Sequence, residues 1–219
     1  AINLLSGTFR PNLGDWENST PDWDEVISTF PRGELRDYLG MVSTGEVSIA
    51  VKPQYIDKLP RIFDGEVREL LARVDDRREM ENYTELMGIS HILDRKLGDL
   101  SGGELQRVAI CATLLKEADV YFFDEPSSYL DIYERMRMVG VVRGLAEKGK
   151  RVLVVEHDLA ILDVLCDSIH VIYGERSAYG IFTPPRSTRT AINAYLDGFL
   201  PEENVRTVSY THLRAHETG

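Results

Sequence analysis

Apolar residues recur with helical spacing near the start of the chain. Trp23, Val26, Ile27 and Phe30 stand at i, i+3, i+4 and i+7, and Leu35, Tyr38, Leu39 and Val42 repeat the pattern after Pro31-Arg32-Gly33. Two short helices joined by that turn are predicted. Ahead of them, Ile2-Asn3-Leu4-Leu5 reads as the end of a helix closed by Gly7 as a C-cap. Val47, Ile49 and Val51 alternate with Ser48 and Ala50, which predicts a strand that ends at Lys52-Pro53, because proline has no N–H for a central ladder. Gln54 and Tyr55 fall in the loop that follows. Residues 66–97 read as helical, with the charged run Asp75-Asp76-Arg77-Arg78-Glu79 as a solvated turn or linker.

The signals sharpen after Asp99. Leu105, Val108, Ala109, Ala112 and Leu115 lie on one helical stripe, and Ser101-Gly102-Gly103-Glu104 before them has the form of a capping box. Val120 to Phe123 and Val152 to Val155 are unbroken apolar runs, the look of strands buried on both faces. A helix over 133–146 joins them, and a helix over 159–165 and a strand over 169–173 follow. Strands alternating with helices predict an α/β fold on a mainly parallel sheet, in which ligands bind outside the carboxyl ends of the strands. Asp124-Glu125 and His157 stand at those ends.

Composition narrows the function classes. At 219 residues the chain suffices for one α/β domain or two small ones, and 25 Lys+Arg against 36 Asp+Glu leave a formal charge of -11. That sign argues against a broad nucleic-acid footprint. Cys111 and Cys166 are the only cysteines and form no CxxC, which excludes a disulfide scaffold, a thiolate zinc site or an iron–sulfur cluster within this chain and suits a reducing, cytoplasmic setting. No run approaches the ~18 apolar residues a membrane span needs, and the N-terminus lacks the pattern of a signal peptide.

An acidic pair placed directly after a buried strand costs desolvation unless a cation or a proton-transfer task compensates. Asp124 is therefore a candidate magnesium ligand, and Glu125 a candidate base for a water that attacks a phosphoryl group. The alternative is that Glu125-Pro126 starts a turn while Asp124 caps the next helix. Two glycines at a helix N-terminus, Gly102 and Gly103, let backbone N–H groups approach an anion, and the Ser101 hydroxyl adds a donor.

Leu100-Ser101-Gly102-Gly103-Glu104-Leu105-Gln106 resembles the signature motif of ATP-binding-cassette ATPases, at the expected distance before the Asp124-Glu125 strand. By that resemblance Gln54 is the Q-loop glutamine, Ser128 to Asp131 form the D-loop, and His157 is the switch histidine. ATP and Mg²⁺ are the implied ligands. Asp124, with Gln54, would hold the metal; Glu125 and His157 would be catalytic; Gln54 and Asp131 would also bind the nucleotide, and Ser101, Gly102 and Gly103 would serve the nucleotide of a facing cassette. The family's phosphate loop, GxxxxGK(S/T), does not occur in the chain. Its near match, Gly144 to Arg151, carries Arg151 in place of Ser/Thr and runs from helix to strand rather than strand to helix. The loop is expected immediately before Ala1, the chain being cut just past it, and the isolated chain is expected to bind ATP weakly or not at all, to be unable to hydrolyse it and to be marginally stable.

Phe9 to Gly14, the hairpin at 22–42, Val51 to Asp57, Leu100 to Arg107, Asp124 to Asp131, Tyr173-Gly174, Ser177 to Gly180 and Leu196-Asp197-Gly198 together resemble the first cassette of the ribosome-recycling, or RNase L inhibitor, family. The resemblance covers about residues 1–206. It implies a P-loop NTPase core of the ABC type, a helix-loop-helix insertion at 22–42, a helical subdomain at about 55–118 and a hinge-proximal region at about 178–206. It further implies a second cassette, the small ribosomal subunit with its rRNA, and termination or initiation factors as partners. Arg32, Arg36, Arg186 and Arg189 are the candidate phosphate contacts. Residues 207–219 depart from the family and are expected to be an unrelated, unstructured tail. A transporter ATPase subunit and a non-catalytic interaction module remain the alternatives.

Overall fold

A computed structural model describes residues 2–11, 21–175, 179–200 and 205–206. They fall into two compact units, one up to Glu156 and one from His157 on. The first begins with helix α1 (Ile2–Leu5), which ends as expected at Gly7, where φ is +73°. Helices α2 (Trp23–Ser28) and α3 (Glu34–Thr44) pack on each other as the predicted hairpin. The Asp22 carboxylate caps α2, and the Tyr38 hydroxyl donates to Leu5 O at 2.8 Å, tying the hairpin to α1.

Strand β1 (Ile49–Lys52) follows, then helices α4 (Leu59–Ile62), α5 (Val67–Val74), α6 (Met80–Leu86) and α7 (Gly102–Leu114), strand β2 (Val120–Asp124), helix α8 (Ile132–Glu147) and strand β3 (Arg151–Val155). The three strands are parallel in the order β1-β2-β3, with β2 central. Val120 and Phe122 pack with Ile2, Leu5, Tyr38, Val47, Ile49 and Val51 on one face of the sheet. The register puts Lys52 beside Phe123 and Asp124 beside Val155, so β1 and β2 end together.

Several local expectations change in three dimensions. Ala50 and Lys52, not the Val47-Ile49-Val51 set, are the most buried side chains of β1, because α7 packs against that strand. Helix α7 is buried nearly all round rather than along one stripe, with Gln106, Ile110, Cys111 and Thr113 enclosed as well. β3 is not buried on both faces: Leu153 is 42% and Val155 38% exposed at the edge of the described sheet. The run 75–79 is not simply solvated. The Asp75 carboxylate accepts from the N–H groups of Glu79 and Met80, and Arg77 is buried to 9% exposure, donating to the hydroxyls of Tyr121 at 2.8 Å and Tyr83 at 3.3 Å. The segment Gly144 to Arg151 does run from α8 into β3, with Gly149 just past the helix end at φ +80°.

The second unit holds helix α9 (Leu159–Leu165), strands β4 (Ser168–Ile169), β5 (Ile172–Glu175), β6 (Tyr179–Phe182) and β7 (Arg186–Ser187), helix α10 (Thr188–Asp197), and strands β8 (Phe199–Leu200) and β9 (Val205–Arg206). The strand expected over 169–173 is two short strands, β4 and β5, which pair antiparallel with β7 and β6. Thr183 divides them: its hydroxyl accepts from Val171 N–H, and its carbonyl bonds to the His170 ring. The tail 207–219 lies outside the described residues. Among the described residues no helix is long and apolar enough to cross a membrane.

Candidate functional site

β1 and β2 deliver three polar side chains to one end of the sheet. Gln54, two residues past β1, donates from Nε2 to Glu125 Oε1 at 3.0 Å. Ser128 donates from Oγ to Glu125 Oε2 at 3.4 Å. Both carboxylate oxygens of Glu125 are therefore oriented. Its backbone lies in the left-handed region at φ +47°, a conformation that costs a non-glycine residue about 1–3 kcal/mol and persists only where surroundings impose it. Asp124 is half-buried, and desolvation, reinforced by the neighbouring charge of Glu125, raises its carboxyl above the ordinary aspartate value.

A hard divalent cation suits this donor set. Asp124 offers carboxylate oxygens whose charge is poorly compensated, and Gln54, with its amide nitrogen turned to Glu125, has its amide oxygen left for a metal. Among the described residues no group of three or more His, Cys, Asp and Glu side chains could hold a metal ion. Mg²⁺ needs no such cage, since it keeps waters and is commonly held by one or two carboxylates plus substrate phosphates. Asp124 does not cap the next helix; Asp131 does, accepting from Glu134 N–H at 2.8 Å while Glu134 Oε2 accepts from Asp131 N–H at 3.2 Å.

The Ser101-Gly102-Gly103 segment caps α7 as its sequence predicts. Ser101 N–H and Oγ both donate to Glu104 Oε2 at 2.8 Å, and Glu104 N–H donates to Ser101 Oγ at 3.3 Å. The bond from Ser101 N–H is the main reason that the Glu104 carboxyl lies below its ordinary value, and Arg95, 2.8 Å away, adds to it. The two glycines have a use within this chain. A Cβ on Gly103 would lie 2.9 Å from Tyr129 O, and one on Gly102 would lie 3.2 Å from Tyr129 Cδ1. Arg107 on α7 pairs with Glu134 on α8 at 3.0 Å, so the segments around 101–103 and 129–131 are fastened together.

His157 opens the second unit as an exposed residue, directly before Asp158, whose carboxylate caps α9 through the N–H groups of Ala160 and Ile161. The structure thus brings Gln54, Asp124 and Glu125 together and sets Ser101, Gly102, Gly103 and Asp131 on two helix N-termini joined by Arg107. Of the arginines, Arg32 and Arg189 are exposed, and Arg36 and Arg186 are half-buried. Sequence reading missed Lys52 and Gln106, which are buried beside the acidic pair. A lysine closing an apolar strand and a glutamine among the buried positions of α7 were the available signals. Burial holds the Lys52 ammonium down at about 8, against the opposing pull of Asp124, Glu156 and Glu125.

The ABC transporter family profile matches residues 2–128, more than half of the chain. The chain is 43% identical over 209 residues to "Translation initiation factor RLI1" of Chaetomium thermophilum, covering 94% of this chain and 34% of that protein. Among solved structures it resembles an archaeal ribosome recycling factor in complex with the archaeal ribosomal stalk protein, with a TM-score of 0.89 and 49% identity over 95% of this chain and 40% of that one. An "RNase-L Inhibitor" structure gives a TM-score of 0.88 and 48% identity over the same shares. The chain spans about a third of the length of the curated relatives it matches, 34% for the first three. With an α/β fold of the ABC-type P-loop NTPases, this chain belongs to the ATP-binding-cassette family and is one cassette of its RNase L inhibitor group.

Proposed function

We propose that the chain is an ATP-hydrolysing cassette of a cytoplasmic ribosome-recycling factor that splits ribosomal subunits, stays on the small one and acts towards initiation. The observation that carries this reading is Glu125, an oriented carboxylate at the end of the central strand with Gln54 on one oxygen and Ser128 on the other. A carboxylate held in this way is placed to take the proton of a water attacking a γ-phosphate. Asp124, with Gln54, holds Mg²⁺, which when bound neutralises charge on the phosphates. His157 steadies the γ-phosphate side, Gln54 and Asp131 bind the nucleotide, and Ser101, Gly102 and Gly103 serve ATP bound by the second cassette.

The partners are that second cassette, the small ribosomal subunit with its rRNA, termination or initiation factors and, from the company of the archaeal relative, a ribosomal stalk protein. A formal charge of -11 confines RNA contact to local groups, for which Arg32, Arg36, Arg186 and Arg189 are the candidates. The test is Glu125→Gln in the full-length protein. Turnover is expected to fall by about 10²–10⁴-fold while ATP stays bound, and the trapped protein is expected to remain on small subunits with a shallow salt dependence. Normal hydrolysis, or co-purification with a membrane protein and no affinity for ribosomes, would overturn the reading.

A further inference from the structure

Three successive carbonyl groups, those of Asp124, Glu125 and Pro126, are held by two buried side chains from other elements. Lys52, fully buried at the end of β1, donates from Nζ to Asp124 O at 2.8 Å and to Glu125 O at 3.4 Å. Gln106 on α7, 1% exposed, donates from Nε2 to Glu125 O at 2.8 Å and to Pro126 O at 3.0 Å. On the other side of the residue, Glu125 N–H donates to Val155 O at 2.8 Å. The left-handed backbone of Glu125 is thus pinned at both of its peptide groups.

These groups are costly where they stand. A buried ammonium loses its hydration, and Gln106 Oε1 is buried without a hydrogen-bond partner, which costs its desolvation in full. Strand pairing and core filling need neither group, since Met and Leu have similar volumes and no polar atoms to satisfy. What the two donors supply is direction. With both peptide groups fixed, the Cα–Cβ bond of Glu125 has one orientation, and the carboxylate reaches Gln54 and Ser128 from it.

We propose that Lys52 and Gln106 are positioning residues that aim the Glu125 carboxylate by clamping its carbonyl oxygen, an inference that rests on Glu125 acting as the general base. Because Gln106 rides on α7, any shift of the Ser101-Gly102-Gly103 end of that helix is felt at the same carbonyl. β1 acts on Glu125 twice, through Lys52 at the carbonyl and through Gln54 at the carboxylate.

The test uses full-length protein carrying Lys52→Met or Gln106→Leu, each alone and combined with Glu125→Gln. Each single substitution is expected to lower kcat by about 10-fold or more with the KM for ATP within about twofold, since small displacements of a catalytic group cost up to ~10²-fold. Added to Glu125→Gln, either is expected to change the residual single-turnover rate by less than about twofold, because no base is left to aim. A purely structural role would lower the rate by the same factor on both backgrounds, and that result overturns the proposal. So does an unchanged kcat in the folded single variants while Glu125→Gln still blocks turnover, which leaves the base assignment standing. Normal turnover by Glu125→Gln removes the base assignment itself. Lys52 and Gln106 reach the carbonyl from different elements, so one well-folded variant of the two is sufficient to decide.

Discussion

Gly102 and Gly103 stand 3.2 Å and 2.9 Å, measured from a hypothetical Cβ, from two different parts of Tyr129, and the difference predicts different behaviour. Gly103→Ala would press on a backbone oxygen that cannot rotate away, so the loop at Tyr129 must move, at a cost of about 1–3 kcal/mol. Gly102→Ala would press on a ring, which truncation removes. In a Tyr129→Ala background Gly102→Ala is therefore expected to become neutral or stabilising by up to about 1 kcal/mol through helix propensity, whereas Gly103→Ala stays destabilising. Chemical unfolding of the four variants in the intact protein reads both effects; equal penalties for both alanines in both backgrounds would refute the assignment. The glycines were legible as a phosphate-approach signal, but their fit against Tyr129 was not, because that neighbour is 26 residues from Gly103 in sequence.

At the scale of elements, α7 and α8 each begin with a reciprocal capping box, Ser101 with Glu104 and Asp131 with Glu134. The first was readable from Ser-x-x-Glu alone, since a cap is decided within four residues. Replacing Glu104 by Ala is expected to cost about 1 kcal/mol of stability at neutral pH. Because hydrogen bonding in the folded state lowers the Glu104 carboxyl below its unfolded value, its contribution is full above the ordinary glutamate range and fades as pH falls through the lowered value. The stability gap between the native protein and Glu104→Ala should therefore close in acid, and a gap that persists unchanged at low pH would exclude the ionised cap. The strand expected over 169–173 shows where local pattern stops: the segment is β-structure, yet Thr183 from another segment splits it into β4 and β5.

For the whole molecule, two compact units meet in sequence between Glu156 and His157, a division that no change in composition announces. The 219 residues contain no GxxxxGK(S/T), so the isolated chain is expected to bind ATP weakly, with no heat signal at micromolar nucleotide in calorimetry; micromolar affinity would show that the groups described here suffice. The sequence by itself determined the α/β alternation, the capping box that opens α7, the turn after α1 and the acidic pair at the end of a buried strand, because each is decided by near neighbours and by the periodicity of burial. It also carried the motif set that identifies the cassette. Only the tertiary structure decided that Arg77 is enclosed beside Tyr121, that α7 is buried well beyond one stripe, and that Lys52 and Gln106 converge on Glu125. Lys52 and Asp124 are 72 residues apart, and their contact depends on the parallel register of β1 and β2, which no local pattern specifies. A buried lysine looks unfavourable in isolation; its hydrogen-bond acceptors come into being only when the strands align.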